Sequence, residues 1–379
     1  MKIVIVGTAH PYRGGLAAFN ERLATEFVNE GHHVEMVTFT LQYPGFLFPG
    51  KTQFADTPAP KHLSISREVN SCNPMNWIRV GKKIRKKNAD VVVFAYWMSF
   101  MAPCFGTIAH QIKKHAHTRC IGLIHNMIPH EPNLLDKLFP KYFVKAMDGF
   151  VSLSESVVHD IEIFDPMGKP KRFSPHPIYD HYGTLIAKED ALQMLKLDPQ
   201  YHYALFFGFI RAYKGLDLLI DAFADKRLAD LKVKLIIAGE FYGNPKPYLD
   251  QIESLGIADR IVLKTDYIPD NEVNRYFRAC DIVTQPYKSA TQSGVTQIAF
   301  HFEKPMLVTN VGGLPEIVPD GVIGYVVEPD AHSIADALVR YFEENHEAAF
   351  TENVKTEKKK YAWNKMTATL LSVDADTRI

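Results

Sequence analysis

Short apolar runs alternate with longer stretches that are apolar on one side only. Residues 2–7, 32–39, 90–97, 118–125 and 149–154 read as strands in the first half of the chain. Residues 202–210, 234–240, 260–268, 281–287, 304–310 and 324–328 read as strands in the second. Helical periodicity fills the gaps, as at 16–29, 74–87, 215–223 and 270–279. Such alternation predicts parallel sheets joined by crossover helices. Strands that are apolar throughout predict sheets covered on both faces. Two series of strands predict an α/β protein with two doubly wound domains, over 1–185 and 195–359. The prolines 166, 170, 175 and 177 precede a helical patch, which puts the linker near 180–200.

One stretch tests this pattern. Residues 91–109 carry no charge over 19 positions, near the length of a membrane helix. They contain Pro103 and Gly106, and they begin with β-branched and aromatic residues. A buried strand, a loop and a helix starting near Pro103 fit better. The first residues read as a strand and show no signal-peptide pattern.

Composition narrows the function classes. Apolar residues make up 46% of the chain and charged residues 23%, which excludes disorder. The 379 residues correspond to ~2 to 3 domains. Lys and Arg number 43 and Asp and Glu 43, against a dedicated nucleic-acid binder. The balance hides a split. Up to Asp180 there are 21 basic and 15 acidic residues; from His181 on there are 22 and 28. Four scattered cysteines form no CxxC, and the histidines, among them His32, His33, His110, His115, His117 and His130, form no HExxH. Neither a zinc nor a redox motif is present. Asp374 and Asp376 make the late DxD, expected in a solvated tail, and Lys358–Lys360 are expected on a solvated face.

In open α/β sheets, ligands bind beyond the carboxyl ends of the strands. Four loops there carry candidate chemistry. Gly14-Gly15 follow the first strand and precede a helix, where backbone can approach an anion. The spacing is neither GxGxxG nor GxxxxGK[ST], which disfavours a dinucleotide oxidoreductase. Arg211 and Lys214 stand three apart before a helical run and can clamp a diphosphate. Ser293-Gly294-Val295 open another helix. His125 ends the fourth strand.

The order of these motifs resembles the retaining family-4 glycosyltransferases (glycosyl transferases group 1), of GT-B fold. The likeness covers nearly the whole chain and is strongest over 205–329. GFIRAYKGLDLLIDAF resembles that family's G-R-x-x-x-K-G stretch, and KPMLVTNVGGLPEIV its most recognisable string. The resemblance implies two Rossmann-like domains facing each other across a cleft. It implies that the last helix, 360–379 with Trp363, crosses back onto the first domain. It places Arg211 and Lys214 on the donor diphosphate and His125 by the donor sugar, as the catalytic set. Gly14, Gly15, Gly208, Glu240, Tyr267, Ile268, Gln292, Ser293, Gly294, Val295 and Gln297 become the donor-binding set.

One departure stands out. The family's E-x7-E would fall on Ala290 and Ile298, and neither is acidic. Gln297 is one position off, and Thr291 or Gln292 can contact the sugar instead.

The implied activity is transfer of a sugar from a UDP- or GDP-type donor to a hydroxyl of a glycan or lipid-linked saccharide, with retention, in cell-surface polysaccharide synthesis. No metal or cofactor is expected. Two readings stay open beside it: a sugar-nucleotide epimerase of the same architecture, and a degenerate nucleotide-sugar-binding protein. A basic helix (Lys82, Lys83, Arg85, Lys86, Lys87, with Trp77, Ile78, Val80 and Ile84) and Phe46-Leu47-Phe48 point to peripheral contact with an anionic membrane. The expected place is the cytoplasm, at the inner face of the membrane.

Overall fold

The structure, a computed structural model, describes residues 1–44, 53–55, 58–114, 117–128, 134–180, 182–290 and 293–378. Phe46–Phe48, His115, His130, Thr291 and Gln292 lie outside the described residues.

The chain forms two compact units: 1–176 with 362–379, and 177–361. The first unit holds β1 (Lys2–Val6), β2 (His33–Leu41), β3 (Ser64–Asn70), β4 (Val91–Tyr96), β5 (Arg119–Ile124), β6 (Gly149–Ser152) and β7 (Lys171–Phe173). They pair in parallel in the order β3-β2-β1-β4-β5-β6-β7. The second unit holds β8 (His202–Phe207), β9 (Val233–Ala238), β10 (Ile261–Lys264), β11 (Ile282–Gln285), β12 (Met306–Thr309) and β13 (Gly324–Val327). Their parallel order is β10-β9-β8-β11-β12-β13. In each sheet the order reverses between the first and fourth strands, which defines a topological switch point there.

Alternate strand residues feed separate cores. Val4, Val6, Val92 and Phe94 pack on one face of the first sheet, and Ile3, Ile5, Val91 and Val93 on the other. The second sheet divides in the same way: Leu205 and Val283 face one core, Ala204, Phe206 and Ile282 the other. Burial on both faces explains why these strands read as unbroken apolar runs. The uncharged stretch resolves into β4 and the helix Ala102–Ile112, entered through a 3₁₀ turn at Ser99–Met101. Among the described residues, no helix is long and apolar enough to cross a membrane.

The edge strands β3 and β7 carry too little apolar signal to read from sequence. SISREVN is mostly half-exposed, and Lys171–Phe173 is three residues long.

The boundary also differs from the expected one. Residues 177–200 are no free linker but part of the second unit. Arg278 Nε donates to Ile186 O at 2.6 Å, and Lys188, on the helix Lys188–Leu195, pairs with buried Asp281. At the other end, the helix Trp363–Asp376 belongs to the first unit. It buries Trp363, Met366, Leu370 and Val373 beside Phe19 and Ile3. Asp374 is therefore not in a solvated tail: it is 4% exposed and pairs with Arg378 at 3.0 Å. Lys359 and Lys360 are exposed, as a solvated face requires, while Lys358 is half-buried and pairs with Glu303.

Asp281 is fully buried just before β11. It accepts from Tyr203 N at 2.7 Å and faces Lys188 and His202. Burial opposes its charge, but His202 and Lys188 overcome this and hold its pKa at about 2. The folded value lies below the unfolded one near 3.9, so its contribution is present above that pH and lost as pH falls toward about 2. Asp281→Asn leaves Lys188 without its buried partner. We expect a loss of about 3 kcal/mol in urea denaturation at pH 7, with a shallower decline between pH 4 and 2 than in the parent. Equal stability at pH 7 would refute this account.

Candidate active site

At the switch point of the second sheet, β8 runs through 208–215 into the helix Leu216–Ala222. Beside it, β11 runs through 286–293 into the helix Gly294–His301. The two loops touch. Gly215 has φ +67°, and a Cβ there would lie 1.9 Å from Pro286 O, so only glycine fits. Lys288 N donates to Tyr213 O at 2.7 Å. Ile210 N donates to Glu240 O at 2.8 Å, tying in the loop after β9.

This junction buries a cation. Lys214 is 8% exposed. Among the described residues no carboxylate lies within ion-pairing distance of its ammonium. Its Nζ stands 5.7 Å from the centre of the Tyr287 ring. A Cβ on Gly208 would meet Nζ at 3.1 Å and Val295 Cγ2 at 3.9 Å, which places Gly208, Lys214 and Val295 together. Burial first, then the charge of Arg211, brings the Lys214 pKa down to about 8. Arg211 stacks 3.9 Å over the Tyr242 ring and makes no ion pair among the described residues. Lys288, by contrast, is neutralised by Asp217 at 2.6 Å.

Ser293 caps the helix Gly294–His301. Its Oγ accepts from Val295 N at 3.2 Å and lies 3.2 Å from the Tyr287 hydroxyl. Gly294 faces the Tyr179 ring, which a Cβ would approach to 3.1 Å. Two cations without carboxylate partners among the described residues thus stand beside a helix N-terminus, an arrangement that suits an anion.

The other expected donor contacts follow the same strand ends. Tyr267 is 64% exposed after β10, and Ile268 packs partly on the core. Gln297 is 2% exposed, and its Oε1 has no hydrogen-bond partner. Ile298, at one missing glutamate position, faces the core at 5% exposure. One residue escaped the motif reading. Gln285 ends β11 at 1% exposure with neither amide atom bonded. Its signal was a glutamine closing an apolar run at a switch-point strand.

His125, Gly14 and Gly15 stand in the first unit. Gly14, with φ +104°, precedes the helix Gly15–Asn29, whose first turn has no acidic residue. His125 follows β5, and its N–H donates to Tyr96 O at 2.8 Å. Its ring meets Phe19 edge-on at 4.8 Å, and its Nε2 is buried without a partner. Burial, aided by His176, lowers its pKa to about 3. The imidazole is therefore neutral across physiological pH and can act as a hydrogen-bonding group, not as a charge.

The basic helix is Pro74–Arg85, and much of it serves packing. Val80 and Ile84 enter the core, Trp77 Nε1 donates to Asn70 O at 2.7 Å, and Lys87 and Lys83 pair with Glu35 and Glu68.

Two Rossmann-like units of this strand order are the architecture of the GT-B class. The chain belongs to the glycosyltransferases of that class: residues 13–166 match Glycosyltransferase Family 4 and residues 201–344 match Glycosyl transferases group 1. An uncharacterised glycosyltransferase of Methanocaldococcus jannaschii is 24% identical over 372 residues, covering 96% of this chain and 95% of that protein. A D-inositol 3-phosphate glycosyltransferase of Segniliparus rotundus is 33% identical over 144 residues, 37% of this chain and 32% of that protein. Among solved structures, HepE of Anabaena in complex with UDP-glucose aligns with a TM-score of 0.67 at 14% identity, covering 98% of each chain.

A buried, unanswered cation costs stability and confers binding. Lys214→Met should raise stability by about 1 kcal/mol while abolishing binding of inorganic pyrophosphate. In the parent, affinity for pyrophosphate should fall as pH rises through about 8, and calorimetry at pH 8.5 in two buffers should show proton uptake on binding. Binding without a pH dependence there would remove Lys214 from the site.

Proposed function

We propose that this enzyme moves a sugar from a UDP- or GDP-type donor to a hydroxyl of a glycan or lipid-linked saccharide, with retention of configuration. Its setting in this reading is cell-surface polysaccharide synthesis, in the cytoplasm at the inner membrane face. The observation that carries the reading is Lys214, held nearly dry beside Arg211 with no carboxylate to neutralise it. The binding of UDP-glucose by the Anabaena neighbour supports a nucleotide-sugar donor.

The difficult step is departure of the diphosphate. The bond between the anomeric carbon and the diphosphate oxygen breaks, and negative charge develops on that oxygen. Arg211, Lys214 and the N–H of Gly294 neutralise it in place, which lowers the barrier without reorganisation. The acceptor hydroxyl attacks from the face the diphosphate leaves, and its proton passes to the departing oxygen. No protein nucleophile and no metal enters this scheme. Neutral His125 orients the donor sugar by a hydrogen bond. With Ile298 in the core, recognition of the donor falls to Gln297, Ser293 and Gln292.

A thermal-shift panel of UDP, GDP, ADP and their sugars tests the donor, since binding to the folded state raises its melting temperature. We expect a uridine or guanosine diphosphate to shift it. Arg211→Ala and Lys214→Ala should each weaken that nucleotide by about tenfold or more. Product anomers read by NMR test retention. Epimerisation of the donor without acceptor would favour the epimerase reading, and tight binding without turnover the degenerate one.

A further inference from the structure

The carboxyl end of the first sheet carries a second basic pocket, away from the loops that the family motifs mark. It is an open cavity of about 450 Å³ lined by Arg67, Glu68, Asn70, Asn73, Arg79 and Lys83 among others. Three cations face one carboxylate there, and that carboxylate is taken: Lys83 Nζ holds Glu68 Oε1 at 2.8 Å. Arg67 is fixed by the backbone, its Nε donating to Phe39 O at 3.2 Å and its Nη2 to Thr40 O at 3.4 Å. Its guanidinium also lies 5.8 Å from the centre of the Phe54 ring, and no carboxylate pairs with it among the described residues. Arg79 makes no hydrogen bond or ion pair among the described residues. Asn70 and Asn73 add polar walls.

The position bears on chemistry. The pocket lies at the carboxyl ends of β2 and β3, and adjacent strands stand about 5 Å apart. It is thus about one sugar's length from the loop after β1. Arg67 also reaches that loop, since its charge and hydrogen bond act on Tyr12.

We propose that Arg67 and Arg79 bind a phosphate ester carried by the acceptor. This rests on the glycosyltransferase reading and names its acceptor class. Planar guanidinium groups match phosphate oxygens in pairs, and neither Arg67 nor Arg79 has a carboxylate partner among the described residues. Neutral sugars would leave both charges unanswered. The ester is either that of a soluble sugar phosphate or that of a lipid.

The test measures binding of glucose 6-phosphate, glycerol 3-phosphate and glucose by calorimetry. In parallel, vesicles of phosphatidylcholine with phosphatidylglycerol are sedimented with the protein at low and physiological salt. UDP is titrated into every sample. We expect at least one phosphate ester to bind where glucose does not. Arg79→Gln should weaken it about tenfold or more and leave UDP unchanged. Binding of the soluble esters identifies a sugar phosphate; binding to vesicles alone identifies a lipid. The proposal is overturned if none of the three phosphate-bearing probes binds, if glucose binds equally, or if Arg79→Gln has no effect. UDP binding with no ester binding sinks this pocket alone, whereas ester binding without any nucleotide sinks the transferase reading.

Discussion

Lys214 is a cation placed where water is scarce and no carboxylate answers it, and much of the second unit is arranged to hold it there. Gly215 lets the chain turn against Pro286 O, Glu240 O anchors the loop through Ile210 N, and Tyr213 O accepts from Lys288 N. Nearby negative charge is spent elsewhere, since Asp217 pairs with Lys288. A folded chain bears an unfavourable charge of this kind only if something else compensates, and in the function proposed here that is the donor diphosphate.

The same logic explains how an acidic unit can hold an anionic donor. The first unit carries 23 basic and 16 acidic residues, and the second 20 and 27. Net charge sets the long-range field, but affinity comes from a few local groups in low dielectric. In the proposed function these are Arg211, Lys214 and a helix N-terminus in the second unit. In the first, the excess is not a uniform field either. Lys83 and Lys87 are neutralised by Glu68 and Glu35, whereas Arg67 and Arg79 pair with no carboxylate among the described residues.

The departure from the family pattern also has a physical side. Ile298 fills the core under the helix Gly294–His301, so that turn of helix offers the donor no carboxylate. What it offers instead are buried amides. Gln285 and Gln297 each keep a polar atom away from water without a partner, which is costly and rare in packed interiors. Amides on the strand and helix that frame the site are suited to hydroxyl groups, which both donate and accept.

The central strands, their order of appearance and the loops that carry Gly14, His125, Arg211, Lys214 and Ser293 were legible in the sequence, because burial on both faces writes a continuous apolar run and glycines mark close turns. The edges β3 and β7 were not legible, because a half-exposed strand is held by its neighbour's backbone and not by its own side chains. Nor was the fate of 177–200, which Asp281 and Arg278 fasten to the second unit through Lys188 and Ile186 O, contacts far along the chain. Asp374 looked solvated until Arg378 and the fold buried it. Sequence alone determined which residue types stand at the carboxyl ends of the strands. Only the tertiary structure decided which of their charges are neutralised, because a counter-ion is set by proximity in space and not by spacing along the chain.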